Sequence, residues 1–329
     1  MFNKRSRLYK VIILILLSFS FPLYASKENV KNKKTIVDSF LEYLYLPISY
    51  ILPHYETRDV LYETESQYFF IRVEKDYLNR RHLVFLPRKG SQSIFNPQDP
   101  EEIISSLVFY SAITLPALNR KPEKILFLGM GGGIMPMMYR RSFPDIEIDI
   151  VEIDRSIPAV AEKYFGFKKD DDISIYIQDA RVYVNKSKEK YDIIFMDIYD
   201  ANNIPFQVTT KEYFEAVKNN LAKDGVLYIN LANLKNKKFI ASELRTIFSV
   251  FPKTYIFESP NRSNFNIIST VGNDLKIAAI EEKSAVIDND KVMNFKLSPL
   301  LNSLMKQEEL IEIMSKSNNI LTDDYAPVN

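Results

Sequence analysis

Cysteine and tryptophan are absent from the 329 residues, and histidine occurs only twice, at His54 and His82. Without cysteine there is no disulfide frame, no thiolate nucleophile and no cysteine-based metal site. The two imidazoles flank no carboxylate at ligand spacing, so each reads as a plain surface or turn residue and no metal is expected. Neither sign of charge dominates. Lys and Arg number 43 against 42 Asp and Glu, a formal +1, and no basic stripe accumulates beyond the first residues, so no nucleic-acid partner is expected. Apolar residues make up 46% of the chain and charged ones 26%, enough to bury one large core or two smaller ones.

Glycine is scarce, which makes its one concentration informative. The apolar run Lys124-Ile-Leu-Phe-Leu ends in Gly129, Gly131, Gly132 and Gly133, where the chain can turn sharply and bring its backbone close to a ligand before a helix starts. A second apolar strand, Ile146 to Ile153, carries Glu152 about twenty residues later, where a ribose diol would want a carboxylate acceptor. A third, Tyr191 to Met196, runs into Asp197-Ile-Tyr-Asp200. Strand, glycines, helix, strand and acid in this order point to a nucleoside-binding α/β sheet, with paired acids at its rim.

The first 25 residues differ from the rest. Lys4, Arg5, Arg7 and Lys10 precede an apolar run from Val11 to Leu17 that continues to Ala25, the order of a secretory signal peptide. The run is shorter than the roughly 20 residues a membrane span needs, and Pro22 suits a cleavage region. Leu23 is a poor residue three before a cut after Ala25, so an uncleaved membrane anchor stays open, as does a buried N-terminal helix of a cytosolic protein. With either of the first two the basic flank stays in the cytoplasm and the body is exported, with membrane association through the N terminus if the anchor is kept.

Residues 35–120 read as an N-terminal β-hairpin domain. Tyr68 to Glu74 and Arg81 to Leu86 are rich in aromatic and β-branched residues, and Lys75 to Asn79 is a turn signal between them. Pro100-Glu-Glu102 should then open a helix, with Ile103, Leu107, Val108 and Ile113 at helical spacing. A boundary is expected at Asn119 to Glu123. Residues 121–275 alternate strand and helix, with strands at 125–128, 146–151, 173–177, 191–196, 225–231, 254–257 and 266–270, so a doubly wound sheet is expected. The last two strands are joined only by a loop, so at least one should run antiparallel. Residues 276–329 read as a helical tail with a helix from about Pro299 to Met314 capped by Ser298.

Glu63-Thr-Glu-Ser-Gln-Tyr68, Gly129 to Gly133, Val151-Glu-Ile-Asp154, Gln178-Asp-Ala180, Asp197-Ile-Tyr-Asp200 and Leu321-Thr-Asp-Asp-Tyr-Ala-Pro-Val328 together resemble the spermidine synthase family, closest to its spermidine-synthase-like branch. The similarity covers roughly residues 57–329. It implies a methyltransferase-type Rossmann domain below a small β domain. It also implies aminopropyl transfer from decarboxylated S-adenosylmethionine to a small amine or polyamine. By the same resemblance Glu152 holds the ribose hydroxyls, Asp179 meets the adenine amino group, Asp197 and Asp200 are the family's two acids, and Gln92 keeps its glutamine after the second hairpin strand; a homodimer is left open. The chain departs from the family at Gly132, where an Asp usually contacts the donor's amino group, and at Phe69, where a Gln is usual. The family's Tyr-His pair falls near Leu107 and Val108, with Tyr110 close by.

The chemistry explains why acids serve here. A polyamine nitrogen with a pKa of about 10 is protonated at neutral pH and must lose a proton before it can attack carbon. Asp197, directly ending the strand, suits the base; Asp200 suits substrate binding, and Tyr199 is either a cation–π partner for the amine or packing. A methyltransferase using S-adenosylmethionine, and a non-catalytic polyamine- or nucleoside-binding protein, are the alternatives.

Overall fold

The structure is a computed structural model, and it describes residues 58–325 apart from 88–89, 119, 200–203, 233–235 and 273–275. The amino-terminal signal or anchor, His54, Asp200 and the closing residues 326–329 therefore lie outside the described residues.

The first four strands, β1 (Asp59–Glu65), β2 (Phe70–Lys75), β3 (Arg81–Leu86) and β4 (Ser91–Phe95), form an antiparallel sheet in sequential order. Alternation along β2 sends Ile71 and Val73 inward, while Arg72 and Glu74 face out and pair with each other. His82, expected at the surface, is buried instead. Its Nδ1 lies 2.9 Å from Ser91 Oγ and its Nε2 3.1 Å from Asp76 Oδ2, so a turn acid and a neighbouring strand satisfy both ring nitrogens.

Seven strands build the larger sheet: β5 (Lys124–Leu128), β6 (Glu147–Glu152), β7 (Ile173–Ile177), β8 (Tyr191–Met196), β9 (Leu221–Ala232), β10 (Lys253–Glu258) and β11 (Asn264–Thr270). Their order is β10-β11-β9-β8-β5-β6-β7. The strands from β5 to β9 pair parallel, and β11 is the reversed strand, antiparallel to both β9 and β10. This is the doubly wound α/β architecture expected, with its antiparallel member near one edge.

Both faces of this sheet are covered, which explains the unbroken apolar runs of its central strands. Ile125 and Phe127 of β5 join one core with helices α1 (Ser106–Ser111), α2 (Thr114–Ala117), α3 (Ile134–Ser142), α4 (Ser156–Tyr164) and α8 (Ile277–Asp290). The alternate residues Leu126 and Leu128 join the opposite core with α5 (Ala180–Lys186), α6 (Lys211–Asn220) and α7 (Lys237–Val250). Ile71 and Phe85 of the small sheet belong to the first of these cores. Among the described residues no helix is long and apolar enough to cross a membrane.

Two helices differ from expectation. The helix placed at Pro100 begins at Ser106, because Glu102 is held in a turn by Asn96 Nδ2 at 2.7 Å and Arg80 Nη2 at 3.2 Å. The helix placed over 299–314 is broken into a 3-10 turn, Ser298–Ser303, and α9 (Gln307–Met314). Between them the backbone N–H of Met305 donates to Ile256 O at 2.8 Å, tying the segment to edge strand β10. Ser298 donates its backbone N–H and hydroxyl to Asp288 instead of capping a long helix.

Candidate active site

The C-terminal ends of β5, β6 and β8 meet where the connections on either side of β5 diverge, the switch point at which open α/β sheets bind ligands. Gly129, Gly131 and Gly133 all take positive φ, at 95°, 53° and 72°, and α3 starts at the next residue. Gly129 has a second constraint: a Cβ there would run into the carbonyl oxygen of Asp197. Gly132 donates its N–H to Ser93 Oγ at 2.8 Å, and a Cβ on it would meet Ser93 Cβ at 2.9 Å and the Phe165 ring at 3.0 Å. The position where the family usually carries an Asp is thus closed by the small sheet and α4's end.

Glu152 ends β6 and is buried at 7% exposure. Its Oε2 accepts the N–H of Met130 and its Oε1 that of Asp154, each at 3.0 Å, so the carboxylate is fixed against the glycine loop. Burial pushes its pKa up to about 7, against the opposing pull of those backbone donors. Asp179 caps α5, accepting the Val182 N–H at 2.9 Å. Glu152, Asp179 and the loop from Gly129 to Gly131 line one cavity of about 460 Å³, walled by apolar residues such as Phe69 and Val208.

Asp197 follows β8 directly, its N–H donating to Leu128 O at 3.0 Å. Its Oδ1 accepts Asn230 Nδ2 at 2.8 Å, and Asn230 Oδ1 in turn accepts Asn264 Nδ2 at 2.6 Å. The Tyr199 hydroxyl donates to Asn230 O at 2.6 Å and accepts the Ala232 N–H at 2.7 Å, so it closes the end of β9. A second cavity, also of about 460 Å³, is lined by Asn230, Asn261 and Asn264. Gln92, Ser105, Leu107, Asp197 and Tyr199 line both cavities, which places Asp197 at the waist between them. Gly129, Gly131, Glu152, Asp179, Asp197, Tyr199 and Gln92 are thus brought together, Gly133 holds the start of α3, and Asp200 lies outside the described residues. Ser93, Asn230 and Asn264 were not singled out in the sequence, since each acts across 33 or more residues.

The charged residues lining these cavities are all acids, Glu152, Asp179 and Asp197; no Lys, Arg or His lines either cavity among the described residues. Nor do the described residues contain a group of three metal-ligating side chains.

The sheet order, its reversed strand and an acid-rimmed glycine loop define a methyltransferase-type Rossmann domain accompanied by a small antiparallel β-sheet. The spermine/spermidine synthase domain model matches residues 108–283, just over half of the chain, and the protein belongs to that family. It is 29% identical over 280 residues to a polyamine aminopropyltransferase of Vibrio vulnificus, covering 82% of this chain and 90% of that one. A probable polyamine aminopropyl transferase of Bifidobacterium longum is 27% identical over 82% of this chain, which spans 61% of that longer protein. The crystal structure of a probable spermidine synthase from Corynebacterium glutamicum shares the fold, with a TM-score of 0.66 at 16% identity over 82% of this chain and 98% of that one.

Proposed function

We propose that the protein is an aminopropyltransferase that moves the aminopropyl group of decarboxylated S-adenosylmethionine to a small amine. The observation that carries this reading is Asp197 at the junction of two cavities whose charged lining residues, among those described, are acids. A sulfonium bearing an ammonium, and an amine acceptor, are both cations. A carboxylate-bearing donor finds no cationic partner among the described lining residues.

In the reaction the acceptor nitrogen attacks the methylene carbon next to the sulfonium. The new C–N bond forms as the C–S bond breaks, and its electron pair stays on sulfur to give neutral methylthioadenosine. Glu152 holds the ribose diol at one end of the donor and Asp179 the adenine edge. Asp197 orients the amine and takes the proton that nitrogen must lose, directly or through a water. Asp200, three residues on in sequence, suits the amine's second charge, and Gln92, which lines both cavities, offers a neutral polar group.

The test supplies purified protein with decarboxylated S-adenosylmethionine and a panel of mono- and diamines and measures methylthioadenosine release. Release that depends on the amine supports the proposal. No release, together with methyl transfer from S-adenosylmethionine, would replace it with the methyltransferase reading, to which a glycine loop without an acid at Gly132 is suited. Amine binding without either reaction would make the chain a binding protein.

A further inference from the structure

The nucleoside cavity is roofed in part by the turn between β1 and β2, which contributes Tyr68 and Phe69. Phe69 is stacked on Phe85, with ring centroids 4.2 Å apart and planes 10° from parallel, while Tyr68 is 44% exposed. The turn itself is organised by one side chain. Ser66 Oγ accepts the N–H groups of Phe69 at 2.9 Å and Tyr68 at 3.1 Å, and the Ser66 N–H donates to Phe69 O at 2.8 Å. That hydroxyl then donates its proton across 88 residues to Asp154 Oδ2.

Asp154 is buried at 1% exposure, and no cation pairs with it among the described residues. Its Oδ1 accepts the Ser156 N–H at 2.9 Å at the start of α4, and its own N–H donates to Glu152 Oε1 at 3.0 Å. A continuous chain of hydrogen bonds therefore runs from the glycine loop at Met130 through Glu152 and Asp154 to Ser66 and the roof. A buried carboxylate oxygen that loses its donor keeps the full desolvation cost, so the two sheets are strongly biased to keep this contact.

We propose that Ser66 and Asp154 are positioning residues, a latch that sets the roof turn in register with the carboxylate that holds the ribose. This rests on the nucleoside reading of the cavity. With the latch made, Tyr68 and Phe69 are held where an adenosine seated on Glu152 would meet them; with it broken, the turn loses the acceptor of two of its amides and the anchor of a third group.

The test compares wild type, Ser66→Ala and Ser66→Thr by calorimetric binding of methylthioadenosine and by hydrogen exchange of the segment 66–70 with and without that ligand. Wild type should bind and slow exchange in this segment. Ser66→Ala should bind about tenfold more weakly without the ligand-induced slowing, while Ser66→Thr, which keeps a hydroxyl, should restore both. Wild-type affinity and slowing in Ser66→Ala would overturn the latch and leave the nucleoside reading standing. Equal loss in Ser66→Ala and Ser66→Thr with a lowered melting temperature would reduce Ser66 to a structural role, and absence of binding in wild type would remove both proposals.

Discussion

The Asn230 side-chain amide donates to Asp197 Oδ1 at 2.8 Å, so the acid between the two cavities is oriented by a neutral group on the adjoining strand. That hydrogen bond sets the direction of one carboxylate oxygen on the rim of both cavities. Asn230→Ala should lower kcat by roughly tenfold. Asp197→Asn should lower it by about 10²–10⁴-fold, the usual range for loss of a general base. Methylthioadenosine affinity should change little in either, because the proposed ribose and adenine contacts are made by Glu152 and Asp179 and not by Asp197 or Asn230. Kinetics paired with calorimetry checks both; a kcat unchanged in Asp197→Asn would remove it from the proton path.

Glu152 gives the site a pH signature. Burial raises its pKa to about 7, and only the ionised carboxylate, which already accepts two backbone N–H groups, would keep lone pairs free for the proposed ribose diol. Methylthioadenosine should therefore bind more tightly as pH rises from 6 to 8, and Glu152→Gln should bind weakly with a flat profile. Titrations across that range test this, and a pH-independent wild type would take Glu152 out of the ribose contact.

Glu243 on α7 is fully buried, and neither carboxylate oxygen has a hydrogen-bond partner. Burial alone raises its pKa from an ordinary 4.5 to about 8. Because the folded value is the higher one, any stability from this group is present below about pH 4.5 and is lost as pH rises towards 8. Glu243→Met, apolar and unbranched, should raise stability by roughly 1–3 kcal/mol near pH 8 and by less near pH 5. Denaturant melts at the two pH values measure the difference; a gain independent of pH would mean that the carboxylate is not the cause.

Export is proposed on the charge and hydropathy order of the first 25 residues, which lie outside the described structure. Residues 1–40 fused to a reporter active only outside the cytoplasm should give signal, and replacing Arg5 and Arg7 with Glu should reduce it. A reporter that stays silent, with the fusion recovered intact in the cytosol, would end this proposal.

Local chemistry was readable in the sequence where it is concentrated. The runs 125–128 and 193–196 fall within β5 and β8 because strands buried on both faces take unbroken apolar stretches, whereas β7, at the sheet edge with Tyr176 and Ile177 exposed, is marked by its β-branched and aromatic residues. The glycine loop and Glu152 showed themselves through spacing. What escaped depends on partners distant in the chain: His82 is buried by its contacts with Ser91 and Asp76, and Glu102 is drawn from a helix start into a turn by Asn96 and Arg80. Asn230 sits within an apolar strand with no pattern to mark it, and its role appears only when β9 lies beside β8. Strand β9 begins four residues before the expected Gly225, since Lys223 and Asp224 are exposed and break the apolar signal while the backbone is already extended.

That the charged residues lining the two cavities, among those described, are acids bears on turnover as well as on recognition. Under the proposed reaction the donor arrives as a sulfonium and leaves as a thioether, so chemistry erases the positive centre that the acids attract. The chamber's grip therefore weakens on the nucleoside at the moment of conversion, and the spent product is let go by the same electrostatics that gathered its precursor.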